Sequence, residues 1–462
     1  MKVMKFGGSS LKDGESMMMV GEIITSDNEP KVVVVSAVQS VTDSLVDFMS
    51  EIRSEKEIQE FVRGLKETHL RLLRDVASSM EIKQQAVSLL MEKLVKLERV
   101  LYGVCYLEEL TPRTTDLVES FGERLSVILV SAMLQDMGLN AVPVMADEIG
   151  VITDGNYGSA TADLHATREN IGPGVKEMID RNEVPVITGF FGRTEDGHVT
   201  LFGRNGTDYS ASVIAYAVGA DMVEIWKDVD GFMSVDPRIV PGAVPIRELS
   251  YEEAAELSYF GAQVLHPQTV EPAQEAGITI RLMNVFKPTA EGTIIHAAAD
   301  AIPETIKSVS CMEDTVIIKA YGAGIGARYG VVSELSGILK DIEVNIYMVA
   351  TSQTCVSLVI DKRDLGRARS GLAHAGKGVI ENFEIVEDVA LVTVVGEGVG
   401  YRHGVAARIF NAVASRGINV GIVSAGASLV TICFTVDRDQ LGEATLAIHE
   451  EFIVGGINGR ED

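Results

Sequence analysis

The chain of 462 residues is poor in the residues that define several common classes of protein. Its four cysteines, Cys105, Cys311, Cys355 and Cys433, form no CxxC pair, so the sequence indicates neither a disulfide framework nor a zinc site. Only 12 residues are proline, whereas 44 glycines and a hydrophobic share of 46% are typical of a folded α/β chain without a long disordered tail. We therefore expect a globular protein of two or three domains in the reducing cytoplasm.

Positive charge is also scarce, since the chain has 40 Lys and Arg but 66 Asp and Glu, and the formal net charge is -26. An extended surface for nucleic acid or anionic lipid needs clustered cations, so we expect neither partner. No apolar run approaches the roughly 18 residues of a membrane-spanning helix, and the N-terminus lacks the apolar region of a signal peptide. A small anionic ligand stays compatible with this balance, because a few cations focused in a cleft are enough to bind it.

The first ten residues, "MKVMKFGGSS", pair a lysine with two glycines. Apolar residues around Lys5 predict a short strand that Gly7 and Gly8 end. Glycines let the backbone approach a ligand closely, and residues 9–19 are predicted to continue as a helix whose free N–H groups point back at the loop. The pattern therefore indicates an anion site; a tight turn beside a solvated lysine is the alternative that these residues leave open.

Strands alternate with helices along the first 300 residues. The run "KVVVVSA" is typical of a strand buried on both faces of a parallel sheet, and residues 55–134 carry apolar side chains at helical spacing. This alternation predicts an α/β domain over residues 1–300, with a mostly parallel sheet and helices on both faces. Further strands are predicted at "VPVITGFFG", "HVTLFG", "MVEIW" and "ITIRLMNV", and further helices at 209–218 and 251–260.

The last third of the chain contains an internal repeat. The stretch "YGAGIGARYG" matches "VGEGVGYRHG", and Gly322 and Gly396 at matching positions lie 74 residues apart. Each copy reads as strand, glycine turn, helix, two strands and helix, which is the order of a small ferredoxin-like βαββαβ unit when one further strand is added. We expect one such unit over 308–385 and a second over 386–462.

Four further motifs of the first domain are each expected at the end of a strand, where ligands bind in open α/β sheets. Each alone is also compatible with a surface turn, and there is no G-x-x-x-x-G-K-[ST] sequence, so a nucleotide site here is not a P-loop. The motifs are "SAVQSVTD", "FGERLS", "LFGRNGTDYSA" and "WKDVDGFMSVDPR".

Taken together and in this order, the motifs resemble the aspartate kinases of the amino acid kinase superfamily, over nearly the whole chain. The duplicated C-terminal unit resembles the tandem ACT domains through which such kinases sense end-product amino acids. The resemblance implies Mg²⁺-dependent transfer of the γ-phosphoryl group of ATP to the β-carboxylate of L-aspartate, the first step towards lysine, threonine and methionine. A kinase of another amino acid carboxylate, such as glutamate, and an inactive amino-acid sensor are the alternatives.

The resemblance also assigns roles to residues. Lys5 corresponds to the lysine that stabilises the transition state, Asp208 to the residue that orients it, and Mg²⁺ is expected to be held mainly by phosphates rather than by side chains. The residues implied for aspartate are Ser36, Thr42, Glu123, Phe190, Arg204 and Thr207, and those implied for the nucleotide are Gly7, Gly8, Ser9, Lys227, Asp228, Met233, Arg238 and Gln263.

Three positions depart from the commonest family pattern. Lys227 replaces a threonine, Met233 a tyrosine and Gln263 a lysine. These changes are compatible with a dead kinase. We favour relocation of one ammonium group from position 263 to position 227, because the plant enzymes resemble this chain at both places.

The expected effector site lies in the first repeat, at Gly324, Asn345, Ile346 and Tyr347. Lysine-inhibited relatives have an aspartate where Tyr347 stands, and burying an ammonium group without a carboxylate is costly. The sequence therefore favours threonine over lysine as effector. ACT units bind amino acids between chains, which implies at least a dimer; the alternative is that both repeats serve only as a dimerisation platform.

Overall fold

The computed structural model describes residues 1–52, 54–203, 205–262, 264–297, 306–373 and 380–454. The chain divides into two compact units. The first comprises residues 1–232, 247–251 and 264–299, and the second comprises 233–246, 252–263 and 300–462. The boundaries expected from the sequence stay a prediction.

An eight-stranded sheet forms the centre of the first unit, in the order β3-β4-β2-β1-β7-β9-β10-β8. Every neighbouring pair is parallel except β9 with β10, which confirms the mostly parallel sheet. The strands are β1 (Lys2–Phe6), β2 (Lys31–Val35), β3 (Ala141–Val144), β4 (Val184–Thr188), β5 (Phe191–Arg193), β6 (Val199–Leu201), β7 (Met222–Lys227), β8 (Glu248–Ser250), β9 (Thr279–Asn284) and β10 (Thr293–His296), of which β5 and β6 form a separate hairpin.

Helices cover this sheet because each presents an apolar stripe or an entirely apolar surface. The helix α9 is buried along its whole length and packs against β1, while the long α3 is amphipathic and begins with a capping box at Ser54. The helices of this unit are α1 (Gly14–Thr25), α2 (Val41–Glu51), α3 (Glu55–Val76), α4 (Met80–Leu107), α5 (Pro112–Glu119), α6 (Phe121–Asp136), α7 (Ala146–Ile149), α8 (Leu164–Asp180), α9 (Gly206–Val218) and α11 (Val270–Ala276). The helix α10 (Tyr251–Tyr259) belongs to the second unit except for its first residue.

The helix after the glycine loop begins later than the sequence predicts. Residues Gly8–Leu11 form a single 3-10 turn, and α1 starts only at Gly14. The cause is Asp13, whose side chain accepts a hydrogen bond from the Ser16 N–H and so caps the helix one turn further along the chain. The expectation of a helix running through residues 9–19 was therefore wrong. The placement of "FGERLS" at the end of a strand was also wrong, because this motif opens α6.

The second unit contains a six-stranded antiparallel sheet in the order β12-β13-β11-β14-β16-β15. Its two long strands begin and end 74 residues apart, which confirms the repeat, and each contributes to both copies. The expected boundary at 385/386 falls inside β14. The elements are β11 (Ser308–Tyr321), α12 (Val331–Asp341), β12 (Met348–Thr351), β13 (Cys355–Asp361), α13 (Leu365–Leu372), β14 (Asn382–Val395), α14 (Gly398–Tyr401), α15 (Val405–Ser415), β15 (Val423–Ala425), β16 (Thr431–Asp437) and α16 (Leu441–His449).

The two faces of this antiparallel sheet differ. One face packs against the helices of the repeats, and the other carries a smaller apolar cluster that includes Phe260, next to the end of α10. The described part of the chain contains no helix with the length and apolar character needed to cross a bilayer.

Candidate active site

Three charged side chains meet where β1, β7 and α9 come together. The Lys5 Nζ lies 2.6 Å from Oδ1 of Asp208, and the Lys227 Nζ lies 2.7 Å from Oδ2 of the same carboxylate. Lys5 is on β1, Lys227 is the last residue of β7, and Asp208 lies in the first turn of α9. All three side chains are largely withdrawn from water, with exposed fractions of 6%, 16% and 1%.

This cluster contains one more positive charge than negative charge. Burial opposes the ionisation of Asp208, but the two ammonium groups outweigh that effect and lower its pKa to about 2. Burial also lowers the pKa of Lys5, against the pull of Asp208, and Lys227 adds repulsion. Because both oxygens of Asp208 are paired, the excess positive charge is available to an anion brought to this edge of the sheet.

The glycine loop approaches this cluster too closely for larger side chains. A Cβ atom at Gly7 would lie 3.3 Å from the Lys5 Nζ, and one at Gly8 would lie 3.1 Å from the carbonyl oxygen of Ala37. The loop backbone therefore passes directly beside Lys5. This arrangement supports the anion-site interpretation over a turn with a solvated lysine.

A buried carboxylate with one unused oxygen lies on the far side of the Ala37 backbone. Glu123, in the first turn of α6, is 3% exposed, and its Oε1 accepts a hydrogen bond of 3.0 Å from the Ala37 N–H. Its Oε2 is buried and has no hydrogen-bond partner among the described residues. Burial raises the pKa of Glu123 to about 8, and nearby Glu119 adds to the shift. Such a group is suited to a cationic partner, and none of the described residues provides one by a hydrogen bond to Oε2.

Hydroxyl groups lie close to the charged cluster and to the helix turn that carries Glu123. The Ser36 hydroxyl donates to Oγ1 of Thr207, at 2.8 Å, and Thr207 directly precedes Asp208. Thr42 lies close to the Glu123 turn, since a Cβ atom at Gly122 would come within 3.1 Å of its Oγ1. Ser36 and Thr207 are therefore joined next to Asp208, and Thr42 lies next to the helix turn that carries Glu123.

Two non-glycine residues next to α9 have a left-handed backbone. Phe190, after β4, has φ 73° and donates its N–H to the Ser210 hydroxyl at 2.8 Å, and Asn205, before α9, has φ 59°. Conformations of this kind persist where surrounding contacts fix them, and they are frequent at ligand sites. Gly203, with φ 80°, has a left-handed backbone as well.

Several predicted site residues stay untested. Arg204 and Gln263 lie outside the described residues. Asp228 is exposed and close enough to influence the charge of Lys5. Met233 and Arg238 belong to the second unit, where the Arg238 guanidinium pairs with Asp236 at 2.6 Å. Ser9 lies in the 3-10 turn that follows Gly7.

The sequence reasoning missed a buried arginine on the same helix as Glu123. The Arg124 guanidinium is 2% exposed, donates to Asp147 at 2.8 Å and lies 4.7 Å from the centre of the Phe191 ring. Its Nε–H also donates a hydrogen bond of 3.0 Å to the Ser120 hydroxyl. The signal was present in the sequence, because the charged pair in "FGERLS" opens the long apolar run of α6, where an unpaired charge is not tolerated.

The predicted effector residues lie in the second unit. The Asn345 side-chain amide donates to the Tyr259 hydroxyl at 3.1 Å, and that hydroxyl donates to the carbonyl of Ile346 at 3.4 Å. The rings of Tyr259 and Tyr347 are 5.6 Å apart in an edge-on arrangement. Gly324 precedes a 3-10 turn between β11 and α12. Asn345, Ile346 and Tyr347 therefore all contact Tyr259, the last residue of α10. An effector role for them and for Gly324 stays a prediction.

Comparison with known proteins gives two family matches. Residues 1–284 match the amino acid kinase family, and residues 392–452 match the ACT domain. Aspartokinase 1 of Arabidopsis thaliana, a chloroplastic protein, is 32% identical over 98% of this chain and 80% of its own length. Aspartokinase 3 of the same plant is 33% identical over 97% of this chain and 81% of its length.

Solved structures match over the same extent. Escherichia coli aspartokinase III in complex with aspartate and ADP is 26% identical, with a TM-score of 0.83 over 98% of this chain and 99% of that one. The aspartate kinase of Clostridium acetobutylicum is 26% identical, with a TM-score of 0.80 over 98% of this chain and all of the other. The resemblance seen in the motifs is confirmed, and the chain belongs to the aspartokinases of the amino acid kinase family.

Proposed function

We propose that this kinase transfers the γ-phosphoryl group of ATP to the β-carboxylate of L-aspartate and forms 4-phospho-L-aspartate. The observation that carries the proposal is the charge excess at Lys5, Lys227 and Asp208 beside the glycine loop. Phosphoryl transfer depends mainly on positioning and on stabilising charge that spreads over the transferred group. Lys5 supplies that charge, and Asp208 fixes its position.

The buried carboxylate of Glu123 supplies the other end of the site. Its free Oε2 suits the α-ammonium group of aspartate, whose arrival keeps Glu123 ionised despite its burial. The reacting β-carboxylate of aspartate, with a pKa of about 3.9, is already anionic at neutral pH, so no general base is required. Thr42, Phe190 and Thr207 complete this pocket in our proposal, with Arg204 on the α-carboxylate.

ATP use is supported by the E. coli relative, whose structure contains ADP. We assign Mg²⁺ to the nucleotide phosphates. Both Asp208 oxygens are paired with lysines, so this carboxylate is not available as a metal ligand. The ion would neutralise charge on the phosphates when it is bound with them.

An acyl-hydroxamate assay tests the proposal directly, because hydroxylamine traps an acyl phosphate. We expect product with L-aspartate and ATP, and little with L-glutamate, since a longer side chain displaces the carboxylate from Lys5 when Glu123 holds the ammonium group. Equal turnover of glutamate would favour a kinase of another amino acid. No product with either substrate, from folded protein that binds ATP, would favour the inactive sensor.

We also propose that the repeats regulate the kinase within a homodimer or a higher homo-oligomer. The structure of E. coli aspartokinase III with lysine and aspartate supports an effector role for this kind of chain. Aspartate saturation curves with added threonine or lysine test the effector, and light scattering tests the oligomer. Strong lysine inhibition without a threonine effect would contradict the preference inferred from Tyr347, and indifference to both would favour a dimerisation platform. The cytoplasmic location stays a prediction.

A further inference from the structure

The second unit contains a cavity of about 190 Å³ that the kinase reaction does not use. It is smaller than the roughly 300–1,000 Å³ of drug-sized ligand sites, so it suits a compact ligand. The end of α10, the start of β12 and the segment around β15 all contribute to it. The residues that line it are Glu256, Tyr259, Phe260, Tyr347, Met348, Ser424, Ala427, Ser428, Thr431 and Cys433.

This cavity lies on the sheet face that the helices of the repeats leave uncovered. Along β13, Leu358 and Ile360 pack against the helices, whereas Val359 points to the opposite side and belongs to the same cluster as Phe260. Along β16, Phe434 packs towards the helices and Cys433 towards the cavity. The cavity is therefore separated by the sheet from the glycine turn at Gly324, which precedes α12.

The polar chemistry of the cavity is acidic. Glu256 is the only charged side chain among the described residues that line it, and it is half-buried next to the Ser428 hydroxyl. Burial raises the pKa of Glu256, and Glu252, one turn earlier on α10, adds to the effect. Cys433 offers a neutral thiol, because burial raises its pKa to about 11. A ligand that carries positive charge would offset the cost of keeping Glu256 ionised in this position.

Two aromatic rings stand beside that carboxylate. Tyr259 and Tyr347 are 5.6 Å apart, with ring planes at 66° to each other. The Tyr259 hydroxyl is already engaged with Asn345 and Ile346, so the ring is what this residue presents to the cavity. Tyr347 keeps its proton, since burial raises its pKa to about 12. Aromatic faces next to a carboxylate form a favourable environment for an organic cation.

We propose that this cavity is a binding site for a small organic ammonium ion, with the ammonium group between Glu256 and the two tyrosine rings and its short carbon chain against Met348 and Phe260. The ligand would contact the first repeat at Tyr347, the second repeat at Ser424 and Ser428, and α10 at Glu256. Its occupancy would therefore hold three separate segments of this unit together. The site does not depend on the kinase reaction.

Isothermal titration calorimetry of the full chain with n-butylamine hydrochloride tests the proposal, with 1-butanol as the neutral ligand of the same shape. We expect the amine to bind and the alcohol to bind at least tenfold more weakly. The Glu256→Gln variant should lose about tenfold or more in amine affinity, because it removes the negative charge that the ammonium group would pair with. The Glu334→Gln variant removes one exposed charge from α12, which packs on the other face of the sheet, and should bind like the wild type.

A second variant separates the cavity from general electrostatics. Ala427→Trp places a large side chain at the rim of the cavity while leaving Glu256 intact, and it should abolish binding of the amine. Equal affinity in Glu256→Gln and wild type would overturn the cation site. Equal affinity for butanol and butylamine would also overturn it, as would the absence of binding to wild-type protein or full binding to the Ala427→Trp variant.

Discussion

A buried lysine–carboxylate contact in the second unit and the charged cluster of the first unit differ in what surrounds them. In the second unit the Lys307 Nζ lies 2.7 Å from Oε2 of Glu253, and Oε1 of Glu253 accepts a hydrogen bond from the Glu397 N–H. The two side chains are 4% and 0% exposed. In the first unit, Asp208 is equally buried but serves two lysines, Lys5 and Lys227.

We infer from the comparison that the number of ammonium groups per carboxylate distinguishes a structural ion pair from the proposed catalytic cluster. One ammonium group and one carboxylate neutralise each other, so the pair of the second unit exerts little field beyond itself. Two ammonium groups on one carboxylate leave a net positive charge in a site of low polarity, where an incoming anion is strongly attracted. Four predictions test this distinction.

The largest expected effect is the loss of the neutral pair. Lys307→Met would leave Glu253 as a buried charge without its ammonium partner, which costs about 3–5 kcal/mol. We expect the free energy of unfolding, measured in urea, to fall by that amount, while the kcat of the protein that stays folded changes by less than about twofold. A large loss of kcat in folded Lys307→Met would remove the distinction between the two pairs.

Lys5→Met should have the opposite profile. We expect kcat to fall by about a hundredfold or more, with little change in the KM for aspartate, because Lys5 acts on charge that develops during transfer. Stability should change little, since Asp208 keeps Lys227 as its partner. Lys12→Met, on an exposed lysine near the same loop, is the matched control and should retain wild-type turnover. Unchanged kcat in Lys5→Met would contradict the proposed role.

Lys227 should contribute less, through the nucleotide. Lys227→Thr is expected to raise the KM for ATP by about tenfold, because it removes one partly exposed charge contact to phosphate. Adding Gln263→Lys should recover part of the lost ATP affinity. Lys287→Met removes an exposed lysine that pairs with Asp230 and serves as control. Strict additivity of the two changes in steady-state kinetics would argue against relocation of the ammonium group.

The smallest expected effect is a pH dependence of aspartate binding. Below a pH of about 8, Glu123 is increasingly protonated and neutral, so it attracts the ammonium group of aspartate less. The KM for aspartate should therefore fall severalfold as the pH rises from 6 to 9, and binding should release a proton. Glu123→Gln should flatten the profile. Glu119→Gln should keep the pH dependence but move it to lower pH, because Glu119 adds to the raised pKa of Glu123. A flat wild-type profile would separate Glu123 from the substrate.

Local patterns in the sequence were sufficient for one part of the site. Lys5, Gly7 and Gly8 were identified because a strand and its glycine loop are adjacent in the chain. The pairing of Asp208 with Lys227 could not be predicted in the same way, because α9 and β7 bring the two residues together only through sheet packing. The same holds for the unused oxygen of Glu123, which depends on the position of the Ala37 backbone.

The start of α1 was predicted wrongly for a different reason. The sequence contains an aspartate three residues before Ser16, which is a recognised helix-start signal, yet the glycine motif outweighed it in the interpretation. The buried partner of Arg124 was missed because Asp147 lies on another helix. The fold class, by contrast, was predictable, since apolar strand runs and helical spacing recur along the whole first unit and the 74-residue repeat is visible in the sequence.

The two long strands of the second unit have a practical consequence for anyone who divides the chain. Residues 308–312 of β11 pair with the end of β14, and residues 315–321 pair with its beginning, so each strand completes the sheet of the other copy. A fragment that stops at residue 385 would expose an edge of the first copy, and a fragment that starts at 386 would do the same to the second. We therefore expect that neither repeat folds alone and that the pair unfolds in a single cooperative transition.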